Sequence, residues 1–229
     1  MTFNKSTLTS EQISKKIEHT NLSPFATSQN IQKLCEEAIK FDFLGVCVNP
    51  TRVKEAKKTL VNKTIVAVVG FPFGYSKYET KVLESKLAIE DGASEIDIVA
   101  NMGMLLDGNF TFLEHEISGI AHTIHKMGAT LKVIVETGIF TPEQIEKACR
   151  IIADCEADFV KMGTGYGPRG VVVEDVQIMH NIVGGKIGIK AAGGIATAEQ
   201  AIELINAGAS RIGSSKGHKI IESFFSEER

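Results

Sequence analysis

Cysteine is scarce, and Cys35, Cys47, Cys149 and Cys155 show no C-x-x-C spacing. No disulfide framework follows, and the four read as reduced thiols in a core. Long apolar runs are missing too. Nowhere do about twenty apolar residues follow one another, the length a membrane span needs, and residues 1–10 carry no apolar stretch of the secretory kind. Neither insertion nor secretion is indicated, so a cytoplasmic location is expected. Basic charge is not concentrated anywhere: the net charge is −3 and the lysines and arginines are scattered. A nucleic-acid groove or an anionic membrane is therefore not an expected partner, and a small molecule is.

What remains is ordinary for a folded chain of 229 residues, 43% hydrophobic and 23% charged. Residues 1–229 are expected to form one domain with a sizeable core. Along it, strand and helix patterns alternate. Residues 8–13 offer an N-cap before helix formers, and 16–20 shorten to a strand-like alternation of Ile17 and His19. Helical spacing follows over 27–40, 51–60, 78–91, 110–126, 141–155, 173–182 and 197–207, with a final helix to about 225. In the 78–91 helix, Val82, Leu83, Leu87 and Ala88 share the expected buried face. Between the helices lie apolar strands at 43–48, 64–69, 94–99, 131–136, 158–161, 187–190 and 210–215. Eight strands alternating with helices imply parallel pairing in an α/β fold, and eight such units close into a (β/α)8 TIM barrel. An open doubly wound sheet is the competing arrangement.

A barrel places its site at the strand C-termini. There the sequence puts Glu18, Cys47, Asn49, Asp97, Asn101, Glu136, Lys161, Lys190 and Ser215. Two strands end in the same way: Asp158-Phe159-Val160-Lys161 and Ile187-Gly188-Ile189-Lys190 each finish on a lysine and run into glycines. A buried lysine needs a partner or a task. Of two neighbouring lysines, one can stay charged and weaken the other's hold on its proton, and a neutral amine attacks carbonyl carbon. The resulting iminium draws electrons from the adjacent carbon, so a carbon–carbon bond there can break or form if a second group moves protons. Asp97 can do so; the plainer alternative is a lysine–aspartate pair tying strands together.

Glycine clusters follow three successive strands: Gly163-Thr164-Gly165, Gly193-Gly194 and Gly213-Ser214-Ser215. Barrels commonly bind phosphate after strands seven and eight, so Gly165, Gly193, Gly194, Gly213, Ser214 and Ser215 are candidate phosphate contacts. Other residues take a blander reading. His115, His122 and His125 share a helical face with ligand-like spacing but belong to an outer helix, so no metal site is assigned. Cys47 and Lys132 are second-tier candidates beside Glu18, Cys47 reading as a small buried hydrophobe. Phe71, Phe73 and Tyr75 pack against or cover the mouth.

The ordered motifs Ile17-Glu18-His19-Thr20, Cys47-Val48-Asn49-Pro50, Val69-Gly70-Phe71-Pro72-Phe73-Gly74, Glu95-Ile96-Asp97, Leu131-Lys132-Val133-Ile134-Val135-Glu136, Asp158-Phe159-Val160-Lys161, Lys190-Ala191-Ala192-Gly193-Gly194 and Arg211-Ile212-Gly213-Ser214-Ser215 span nearly the whole chain. Through them the sequence resembles the deoxyribose-phosphate aldolase family. The resemblance implies a class I barrel aldolase, a lyase that reversibly cleaves 2-deoxy-D-ribose 5-phosphate to D-glyceraldehyde 3-phosphate and acetaldehyde in deoxyribose phosphate catabolism. It implies no metal or organic cofactor, and a homodimer. By motif, Lys161 would form the Schiff base and Lys190 and Asp97 would relay protons. Met162-Gly163 stands where the family usually has Thr-Ser, Glu18 where it has aspartate, and Phe224–Arg229 lacks the terminal tyrosine of some members. A phosphosugar isomerase using Asp97 as base, or a sugar-phosphate-binding barrel without covalent chemistry, is the alternative function.

Overall fold

The computed structural model describes residues 8–226. Residues 1–7, most of the N-terminal stretch without an apolar run, and 227–229, the end of the tail without a terminal tyrosine, lie outside the described residues. Eight parallel strands form a closed barrel in chain order: β1 (Ile17–Asn21), β2 (Gly45–Val48), β3 (Thr64–Val69), β4 (Glu95–Val99), β5 (Thr130–Ile134), β6 (Phe159–Lys161), β7 (Gly188–Ala192) and β8 (Arg211–Ser214), with β8 pairing back onto β1. The open-sheet alternative is excluded by that last pairing. The helices are α1 (Ser10–Ser14), α2 (Ser28–Lys40), α3 (Val53–Thr59), α4 (Tyr78–Glu90), α5 (Met102–Leu106), α6 (Phe110–Lys126), α7 (Pro142–Asp154), α8 (Val173–Val183), α9 (Ala198–Asn206) and α10 (Gly217–Ser226).

Local chemistry sets the starts of four helices. Thr9, Thr27, Thr141 and Thr197 each accept from the backbone N–H three residues on, and the side chain there returns a bond to the threonine N–H. Such reciprocal caps satisfy donors that a helix start leaves free. Alternation along each strand then makes two cores. Ile96, Ile98, Leu131, Val133, Val160, Ile189 and Ile212 face the helices and form the main core with them. Inside the barrel, Cys47, Val66 and Val68 make a small apolar plug, covered by Leu22 and Phe71. Charged residues share the rest of the barrel interior with Val99 and Ile134, which alternate in phase with Asp97 and Lys132.

The α4 face differs from expectation. Ala88 is buried, but Leu83 and Leu87 are 57% and 52% exposed, and the inward residues are Lys81, Ser85 and Ala88. The cause is a partner that the helix's own pattern cannot reveal. Lys81 Nζ donates to Glu116 Oε1 on α6 and to the Val99 carbonyl, both at 2.8 Å, and this buried pair turns the helix. Burial lowers the Lys81 pKa and raises that of Glu116 despite their mutual attraction, so neither charge recovers its hydration in full. Glu116→Ala should therefore cost about 3 kcal/mol, read from urea unfolding; an unchanged midpoint would show that the ammonium finds water instead.

Two further differences concern strand ends. The strand expected over 131–136 stops at Ile134, and Glu136 instead precedes a short 3-10 turn, Thr137–Ile139. After β4, Asn101 accepts from Met104 N and caps the short helix α5, too brief for a periodic signal. Among the described residues, no helix is long and apolar enough to cross a membrane.

Candidate active site

Barrel closure brings together side chains that are far apart in sequence. Asp97 on β4 accepts from three lysines: Lys132 Nζ on Oδ1 at 2.9 Å, and Lys161 Nζ and Lys190 Nζ on Oδ2 at 2.9 and 2.6 Å. Strands β4 and β7 are not neighbours, so the Asp97–Lys190 bond crosses the barrel interior. Glu18 on β1 accepts a short hydrogen bond from Lys190, and its other oxygen is 3.7 Å from Lys132. Glu95 also pairs with Lys132 and is 3.7 Å from Arg211. Three lysines and three acidic side chains thus meet in one buried space.

Register explains the lysine pair. Lys161 and Lys190 are direct partners across β6 and β7, and Asp97 and Lys132 are partners across β4 and β5. Gly213 on β8 makes room for the network, because a Cβ there would stand 3.1 Å from Lys190 Cε and 3.0 Å from Ala192 Cβ.

Mutual attraction outweighs burial for the central groups. Burial pushes the Asp97 carboxyl upward, but Lys132, Lys161 and Lys190 hold it well below its ordinary 3.8. Burial likewise opposes an ammonium at Lys190, yet the carboxylates of Asp97 and Glu18 raise its pKa above the ordinary lysine range. Lys132 is raised for the same reasons, burial being overcome by Asp97 and Glu18. Asp97 is therefore a carboxylate and Lys190 an ammonium at neutral pH. That is the charge state of a proton acceptor beside a proton donor.

Above this network opens a cavity of about 640 Å³. Lys161 lines it, and among the described residues it is the one barrel-network lysine that does. Gly165, Gly193, Gly194, Gly213, Ser214 and Ser215 all line the same cavity, although they come from three loops. Gly165, Gly193 and Gly194 have φ of +84°, +121° and +81°, backbone that L side chains rarely adopt, and this lets the chain curve around a ligand. Ser214 is the less available serine: its hydroxyl donates to the Ile195 carbonyl at 2.6 Å and accepts from Lys216 N at 2.9 Å. Ser215 is exposed. Of the helices after these loops, α10 starts directly beyond Lys216, whereas the start of α9 is occupied by its own Thr197 cap.

Other expected mouth residues do not join the cavity lining. Glu136 turns to the β6 loop, accepting from Thr164 N at 3.0 Å and Thr164 Oγ1 at 2.6 Å. Asn49 bonds the Ser23 carbonyl at 3.4 Å. Cys47 belongs to the apolar plug, where burial raises its thiol pKa, so it is no thiolate nucleophile. Phe71 covers that plug edge-on to Tyr166, ring centroids 5.6 Å apart, while Phe73 and Tyr75 are exposed and stack on each other. The three α6 histidines separate: His115 meets the Tyr78 ring and His125 pairs with Asp158.

No pattern in the sequence marks Arg211, Thr164, Tyr166 or the cavity residues His19, Glu37 and His218 as site residues. Tyr166 Oη donates to the Leu22 carbonyl and walls the cavity; no local pattern signals such a contact, 144 residues apart.

A model of the family described as DeoC/LacD family aldolase matches residues 12–223. The chain belongs to that aldolase family. It is therefore a carbon–carbon lyase, with the charged barrel interior and the cavity above it as its candidate site. The deoxyribose-phosphate aldolase of Thermococcus gammatolerans is 49% identical over 214 residues, covering 92% of this chain and 95% of its own. Among solved structures, the aldolase QR15 superposes with a TM-score of 0.90 at 36% identity, covering 94% of this chain and 97% of its own. The deoxyribose phosphate aldolase of Aeropyrum pernix, described as tetrameric, does so at 0.90 and 28% identity, covering 96% and 93%.

Proposed function

We propose that this aldolase cleaves 2-deoxy-D-ribose 5-phosphate reversibly to D-glyceraldehyde 3-phosphate and acetaldehyde, through an imine on Lys161. The observation that carries the role of Lys161 is its position in the cavity wall, with Asp97 and Lys190 immediately behind it. The substrate is supported by the activity named for relatives that align over nearly their whole length.

The unprotonated amine of Lys161 adds to the aldehyde carbon C1, and the carbinolamine loses water to give the iminium. A base takes the proton of the C3 hydroxyl, the C2–C3 bond breaks, and its electrons move into the enamine. Glyceraldehyde 3-phosphate leaves. A proton delivered to C2 restores the iminium, and water then releases acetaldehyde and the free amine. The iminium is the electron sink of this scheme. Asp97, held as carboxylate, is the proposed proton acceptor, and Lys190, held as ammonium, the proposed donor. Lys132 and Glu18 fix these two in place. The phosphate is proposed to rest on the glycine loops and Ser215, where backbone N–H groups can meet an anion.

Borohydride reduction in the presence of acetaldehyde tests the covalent step. A stable two-carbon adduct that peptide mapping assigns to Lys161 is expected. An adduct on Lys190 or Lys132, or none, would defeat the assignment and favour a noncovalent isomerase or binding barrel.

A further inference from the structure

His19, Glu37 and His218 meet at the cavity wall from β1, α2 and α10, and the reaction above uses none of them. His19 follows Glu18 in the strand and so points the other way, toward the helices. Glu37 Oε2 lies 2.6 Å from His19 Nε2 and 3.8 Å from His218 Nδ1, and one donor atom from each residue falls within 4.8 Å of the other two.

Hydrogen-bonding capacity decides what this cluster lacks. His19 Nδ1 is 3.2 Å from the Ser214 carbonyl oxygen, which only accepts, so Nδ1 carries a proton. Nε2 lies at 2.6 Å from the Glu37 carboxylate, a hydrogen-bond distance that one shared proton satisfies. A proton on Nε2 would serve His19 and Glu37 alone. His218 Nδ1 would remain as it is, buried with no hydrogen-bond partner among the described residues. A cation among the three serves every one of these lone pairs. Lys33 does not fill that role, because it approaches the opposite oxygen, Oε1, at 3.7 Å.

We infer that His19, Glu37 and His218 bind one divalent transition-metal ion of the zinc class, with the remaining coordination position open to the cavity. Two imidazole nitrogens and one carboxylate oxygen suit zinc, cobalt or nickel, whereas magnesium prefers oxygen ligands. The Nδ1–H of His19 on a backbone carbonyl is the usual means of aiming Nε2 at a metal. The open position faces the space that Ser215 and Lys216 also line, so a phosphate or water there can complete the coordination.

Protein stripped by chelator and then titrated with Co²⁺ or Zn²⁺ provides the test, followed by visible absorption and calorimetry. One cobalt per chain is expected, with the strong visible bands of a four-coordinate ion, displaced by zinc and accompanied by a higher melting temperature. His218→Ala and Glu37→Gln should each weaken binding about tenfold or more, while Lys33→Ala keeps it. If His218→Ala unfolds, as circular dichroism would report, Glu37→Gln carries the same test. Binding that never saturates at one ion, or equal affinity in the folded ligand variants, overturns the inference. A near-ultraviolet sulfur-to-cobalt band does so as well, since the four cysteines are buried and belong to no such site. No readout depends on turnover, so failure here is distinguishable from failure of the imine assignment.

Discussion

Lys161→Ala should lower turnover of 2-deoxy-D-ribose 5-phosphate by on the order of 10⁴-fold or more, since it removes the nucleophile that makes every later step possible. Lys161→Arg should be equally inactive. Arginine places a cation beside Asp97 but forms no imine, so the pair of variants separates covalent chemistry from charge balance. The fold should survive both changes. Asp97 keeps Lys132 and Lys190 when Lys161 is lost, so the loss of stability should be about 2 kcal/mol, that of one charge-assisted hydrogen bond. Steady-state kinetics and urea unfolding of the same preparations decide the matter. Turnover within tenfold of wild type in either variant would sink the assignment.

Asp97→Asn should be the most destabilising single substitution in the barrel interior, by about 3–5 kcal/mol. The amide keeps the shape of the side chain, but leaves Lys132 with Glu18 and Glu95, Lys190 with Glu18, and Lys161 without the carboxylate it bonds. Asp97 titrates lower in the folded protein than its ordinary 3.8. Its contribution is therefore complete above the unfolded value and is lost as pH falls through the folded one. Lys190 titrates higher than usual, so its contribution is complete below about pH 10.4 and fades as pH rises further. The gap between wild type and variant should be full between about pH 5 and 10 and narrow in acid. Urea unfolding across that range would refute this if the gap were under about 1 kcal/mol at neutral pH, or constant into acid. Turnover should fall as well, because the amide neither takes a proton nor holds Lys190 in place.

Much of this site could be read before any coordinates. Lys161 and Lys190 stood out because each is a charge ending an apolar strand, and Asp97 because it interrupts one; such residues have few places to go. Lys132 and Glu18 were harder to rank. Lys132 lies in mid-strand, and its importance comes from bonding Asp97 on the next strand and meeting Glu18 across the barrel. Cys47 sits on the same rim as Asn49 by sequence, yet the structure buries it between Val66 and Val68. The α4 stripe misled for the opposite reason: Leu83 and Leu87 fit a helical face, but the Lys81–Glu116 pair turned the helix away from it.

By itself the sequence determined the barrel and the rim that carries its candidate site. Hydrophobic period and strand–helix alternation are local properties, and parallel strands joined by helices all end on one face. Only the tertiary structure decided which lysine opens to the cavity, which acids hold the others, and that His19, Glu37 and His218 converge. Those facts depend on strand register and on contacts across a closed barrel, between residues as far apart as Glu18 and Lys190, 172 positions along the chain.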